Sequence, residues 1–117
     1  MGVRLDQRSI ICTPATSTER YATAHCCGAD VGLVDLEDSV SPARKAAARA
    51  AAERCFDAAG SAACGLALHI NSPSGLQGLR DLLAAATYAH RPAIVLIPKV
   101  ESPRDVEIVA GALDAED

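Results

Sequence analysis

The residues able to do acid–base or ion-binding chemistry fall in four groups, each at the end of a short aliphatic or β-branched run. Thr13 and Pro14 end the first run, residues 9–13, and Asp35, Glu37, Asp38 and Ser39 end the second, residues 31–36. His69 closes the third run, residues 66–70, with Asn71 and Ser72 just past it, and Lys99 and Glu101 follow the fourth, residues 93–97. Carboxylates near one histidine and one lysine can pair ions, orient bound water and bind an organic anion. Asp35, Glu37 and Asp38 would form an acidic floor, with His69 and Lys99 as candidate substrate contacts.

Those groups need elements that bring them to one place. The four runs are near-continuously apolar, the habit of strands buried on both faces of a parallel sheet. Helix-like stretches separate them. The first runs from Ser17 or Thr18 to about Gly28. The second starts with Ser41 as cap and Pro42 at the first helical position, then continues through an alanine-rich stretch to Gly60. The third spans about Gly75 to Tyr88 with Leu76, Leu79, Leu82 and Leu83 expected on one face, and the fourth follows Ser102-Pro103 and carries Val106, Val109, Ala110 and Leu113. Strand–helix alternation of this kind predicts an α/β fold of four parallel βα units, one domain over residues 1–117. In such folds ligands bind where strands end and helices begin, where the four polar groups lie.

Composition narrows the function. The chain has 117 residues, a net charge of −4, one Phe, two Tyr and no Trp. An acidic chain with so few aromatics suits neither phosphate-backbone binding nor base stacking, so nucleic acid is not expected. No run has the length of a membrane span, and the start lacks a secretory signal, so the cytosol is the expected setting. Five cysteines, two of them adjacent at Cys26 and Cys27, have no metal-ligand spacing. They are expected as buried reduced thiols acting as small hydrophobes.

The ordered motifs carry a further reading. Arg8-Ser9 with Pro14, Gly28-Ala29-Asp30, Asp35 to Val40, Pro42, Lys45 with Ala48-Arg49, Ile70 to Pro73, and Pro98 to Ser102 occur in sequence across nearly the whole chain. This pattern resembles the citrate lyase beta-subunit (HpcH/HpaI aldolase) family. The resemblance implies half of a TIM (β/α)8 barrel, a fold of about 250 residues when closed. It further implies a carbon–carbon lyase of aldolase type, acting on a CoA thioester or a 2-oxo or hydroxy acid such as a dicarboxylate. Mg2+ would polarise the substrate carbonyl, on ligands that follow strands five and six and so lie beyond Asp117; no metal ligand is expected within this chain. A homo-oligomer or a complementary half-barrel would complete the site. The rival reading is a non-catalytic remnant that assembles and binds a small anion.

Individual residues keep alternatives. The resemblance places Arg8 near substrate, though an arginine before a strand is often merely solvated. The family has arginine where this chain has His69, replacing a permanent bidentate cation by a pH-dependent one and weakening anion binding near neutrality. Asp35, Glu37 or Asp38 could instead pair with Arg44, Lys45 or Arg49. Lys99 could serve as an ion-pair partner, and Glu101 is set aside as a metal ligand because the family ligand falls one strand later.

Overall fold

The structure, a computed structural model, describes residues 8–17, 30–59 and 65–114. Four strands, β1 (Ile10–Pro14), β2 (Val31–Asp35), β3 (Gly65–His69) and β4 (Ile94–Leu96), form one sheet in the order β1-β2-β3-β4. Every pairing is parallel. The expected strands are therefore present, in sequence order and in the expected direction. Three helices are described: α1 (Lys45–Ala59), α2 (Leu76–Thr87) and α3 (Pro103–Leu113). The helix expected to start at Ser17 or Thr18 lies outside the described residues.

Strand alternation sorts the side chains into two layers. Val34, Leu36, Leu68 and Ile70 pack with Ala48, Ala52, Cys55 and Phe56 of α1, Leu82 and Ala85 of α2, Tyr88 and Val109. The opposite face holds Val31, Leu33 and Ala67, flanked by the half-buried Ile94 and Leu96. Full burial holds along β2 but not along β1 or β4, each of which has one neighbouring strand among the described residues. Cys12 is exposed on edge strand β1, contrary to the expectation for the cysteines, whereas Cys55 is in the core.

Helix α1 buries Ala48, Ala51, Ala52, Cys55 and Phe56, the spacing of a single helical face. Its entry is a 3-10 turn, Pro42–Arg44, with Pro42 in the first turn as expected. Ser41 makes no side-chain cap; its backbone carbonyl accepts from the Arg44 amide instead. Ser102 likewise caps α3 through its carbonyl, and Asp105 reaches back to accept from the Glu101 amide.

Helix α2 corrects a second expectation. Its buried residues are Gly78, Asp81, Leu82 and Ala85, while Leu76, Leu79 and Leu83 are exposed. The cause is a close approach: a Cβ on Gly78 would lie 1.8 Å from the Ser72 carbonyl oxygen and 2.8 Å from that of Asn71. The loop after β3 thus lies directly on α2, and at about 100° per residue the three leucines turn away. On α3, Val109 is buried but Val106 is exposed.

Candidate functional site at the carboxyl ends of the strands

Register assembles the site. Pro14 pairs with Asp35, Asp35 with His69, and His69 with Leu96, so the last residues of β1, β2, β3 and β4 form one row. Paired residues in neighbouring parallel strands share a face, and Asp35 and His69 therefore meet. His69 Nδ1 lies 3.0 Å from Asp35 Oδ1, and its Nε2 lies 3.5 Å from Glu37 Oε1. Lys99 closes the group, donating from Nζ to Glu37 Oε2 at 2.6 Å.

Each carboxylate is held differently. Asp35 is buried and accepts from the Glu37 amide, the Ser39 amide and the Ser39 hydroxyl at 3.0, 3.0 and 2.5 Å. Burial opposes its ionisation, but the Ser39 hydroxyl, the two amides and nearby His69 prevail and hold its carboxyl below the usual range. The Glu37 side chain is mostly buried, whereas that of Lys99 is 70% exposed, leaving the ammonium open to solvent apart from its bond to Glu37, its one partner among the described residues. That bond, with the charges of Glu37 and Asp38, pushes Lys99 above its ordinary range. Lys99 also adopts a left-handed backbone with φ of 50°, a conformation costing a non-glycine residue on the order of 1–2 kcal/mol. Such strain at a strand mouth is typical of residues whose position matters to function.

Behind the row lies a polar network. Lys45 Nζ donates to the carbonyls of Leu36 and Glu37 at 2.8 and 2.7 Å and to Asn71 Oδ1 at 2.8 Å. Asn71 Nδ2 donates to the Leu36 carbonyl and to Asp81, whose carboxylate also accepts from the Asn71 amide and from Arg49 Nε. Arg49 donates further to the Gln77 side chain. Lys45 and Arg49 thus tie the backbones after β2 and β3 to α1 and α2. They do not pair with the side chains of Asp35, Glu37 or Asp38, the alternative the sequence left open. Asp81 and Gly78 escaped sequence reasoning, although a carboxylate at a helical position otherwise kept for apolar residues was an available signal.

The remaining candidates separate from this row. Asp38 is exposed and acts on Lys99 through its charge. Glu101 is exposed, with its amide engaged by Asp105. Arg8 is not brought to the site: its amide, like the Ser9 amide and hydroxyl, donates to Asp30, before β2 at the amino edge of the sheet. Parallel pairing puts that edge a strand's length away, about 16 Å at about 3.3 Å per residue. The Cys12 thiol is pushed up by partial desolvation and by the Asp35 carboxylate, which keeps it from acting as a ready nucleophile.

A profile of the HpcH/HpaI aldolase/citrate lyase family matches residues 8–117. Solved structures agree. CitE of Mycobacterium tuberculosis, in complex with magnesium, acetoacetate and coenzyme A, is 32% identical with a TM-score of 0.74 over 92% of this chain and 38% of its own. RipC of Yersinia pestis is 33% identical with a TM-score of 0.69, over 92% of this chain and 41% of its own. The citrate lyase beta subunit of M. tuberculosis, complexed with oxaloacetate and magnesium, is 32% identical with a TM-score of 0.68, over 86% of this chain and 42% of its own. The chain thus spans less than half the length of the solved relatives it matches, and no curated protein sequence matches it.

Magnesium can be tested against the donors present. Among the described residues, Asp35, Glu37 and His69 bring one ligand atom each within 4.8 Å of one another. Mg2+ demands near-octahedral oxygen ligation. Here Asp35 already takes three donors, Glu37 gives one oxygen to Lys99, and the third group is an imidazole. These residues do not fit Mg2+. Parallel βα units in sequence order, the strand-end row of polar groups and the matching profile lead to one assignment: the fold is part of a TIM-barrel-like α/β architecture, and the chain belongs to the HpcH/HpaI aldolase/citrate lyase family.

Proposed function

We propose that this chain supplies the β1–β4 side of an aldolase-type carbon–carbon lyase site that takes a CoA thioester or a 2-oxo or hydroxy acid. The observation that carries the reading is the solvent-facing Lys99 ammonium and the His69 imidazole on opposite oxygens of the Glu37 carboxylate, with Asp35 behind the imidazole at the strand mouths. Lys99 offers its remaining N–H groups to a substrate carboxylate or carbonyl, a charge-assisted contact. Asp35 and Glu37 fix the imidazole and the ammonium and repel a misplaced acid group. Oxaloacetate and acetoacetate, bound by the M. tuberculosis relatives, carry the carboxylate and carbonyl oxygens that such an ammonium binds. In this reading Mg2+ is held by carboxylates outside the described residues, and the setting is the cytosol; no described helix is long and apolar enough to cross a membrane.

The reading includes a partner. Strands β1 and β4 end the described sheet, and Ile10 at one edge and Val100 beyond the other are exposed. An open edge offers unpaired backbone groups to a further strand, so the site is completed by a C-terminal half of the barrel, a second copy or a complementary half-barrel. Light scattering at micromolar concentration, with an assay for cleavage of malyl-CoA or citramalyl-CoA in Mg2+, tests this. A dimer or larger species, or a monomer without turnover, is expected; steady cleavage by a monomer would overturn the shared site.

A further inference from the structure

Both ring nitrogens of His69 face carboxylate oxygens, Nδ1 towards Asp35 at 3.0 Å and Nε2 towards Glu37 Oε1 at 3.5 Å. A neutral imidazole carries only one N–H. One nitrogen lone pair would then point at an anionic oxygen, which is repulsive unless a cation stands between them. The wider gap is too long for a good hydrogen bond. It matches the separation of two ligands on one ion, about 3.4 Å for donors about 2.1 Å from a tetrahedral centre. Asp35 beside Nδ1 is placed as the carboxylate that orients a metal-bound histidine through its other nitrogen. Glu37 Oε1 lies on the imidazole side, its other oxygen being taken by Lys99.

We propose that Glu37 and His69, with Asp35 behind the imidazole, form a binding site for a divalent transition-metal ion of the zinc class. One nitrogen and one carboxylate oxygen suit a borderline ion and leave positions open for water or a chelating acid, whereas the same donors suit Mg2+ poorly. Lys99 is the opposing element: its ammonium sits on Glu37 and competes with the ion for the carboxylate's charge. The site does not depend on the lyase reading, because it is tested with metal alone.

The probe is Co2+ titrated into the chelator-treated chain at pH 7.5, followed by calorimetry and visible absorption. Expected are one ion per chain, weak ligand-field bands and none of the intense near-ultraviolet absorption of thiolate ligation. His69→Phe and Glu37→Gln should each weaken binding at least about tenfold. Lys99→Met should strengthen it, a gain that misfolding would not produce. Absence of Co2+ binding at millimolar concentration, thiolate absorption, or equal affinity in His69→Phe and the parent would overturn the site. Oxaloacetate binding without metal binding would defeat this proposal and leave the lyase reading standing.

Discussion

His69 and Asp35 are register partners at the ends of β3 and β2, and the imidazole Nδ1 stands 3.0 Å from the carboxylate. The pair places a pH-dependent donor where solvent meets the sheet, with a buried base behind it. His69→Arg would put a permanent, forked cation there. Oxaloacetate binding at pH 7–8 should tighten by up to about 1–3 kcal/mol, measured by calorimetry. An unchanged affinity would mean that His69 does not face the acid.

Gly78→Ala tests the contact between α2 and the loop after β3. Helix propensity alone favours alanine by about 0.8–1.0 kcal/mol. A Cβ 1.8 Å from the Ser72 carbonyl oxygen reverses that sign, because the obstacle is backbone. The midpoint of denaturant unfolding should fall and oxaloacetate binding should weaken as Asn71 and its bonded neighbours move. A midpoint equal to or above the parent's would contradict the close approach.

Asp81→Ala removes the acceptor that joins Arg49 to Asn71. The Arg49 side chain is 11% exposed and would be left without its carboxylate. Loss of one partner from a buried pair costs about 3–5 kcal/mol, readable in denaturant unfolding. A loss below about 1 kcal/mol, the range of a surface pair, would show that water reaches the network freely.

Tyr88 gives an alkaline signature. Burial, then the charges of Glu53 and Asp81, push its phenol well above the ordinary value, and its hydroxyl donates to the Arg49 carbonyl at 2.6 Å. The folded state holds the neutral form, so this contribution is full below the unfolded value of about 10 and is lost as pH rises beyond it. Tyr88→Phe should cost about 0.5–1.5 kcal/mol near neutrality. The stability gap between the two proteins should close above about pH 10. A gap constant across that range would contradict the coupling.

Much of this was legible in the sequence because it depends on local pattern. Aliphatic runs ending in polar residues gave the strands, and the shared carboxyl-end position of Asp35, Glu37, His69 and Lys99 followed from parallel pairing. What depended on a contact between distant segments was not legible. The leucines of α2 looked like its core face, but Gly78 and Asp81 turn inward because the Asn71–Ser72 backbone and Arg49 meet them there. Lys45 and Arg49 read as partners for the nearby carboxylates, yet carbonyl oxygens and Asp81 lie nearer. Arg8 carried a motif resemblance, and only the sheet's direction shows it to be at the far edge from His69. The left-handed backbone of Lys99 has no sequence signal, since lysine gives no reason to expect it.

The central claim, that the strand mouths form an acid-binding site whose positive contact is Lys99, is tested by titrating oxaloacetate into the parent chain and into Lys99→Met. The account predicts saturable binding by the parent that weakens at least about tenfold in the variant, the loss of one charge-assisted bond worth about 1.5–3 kcal/mol. Equal affinity in both proteins, or no binding by the parent at millimolar oxaloacetate, would contradict it.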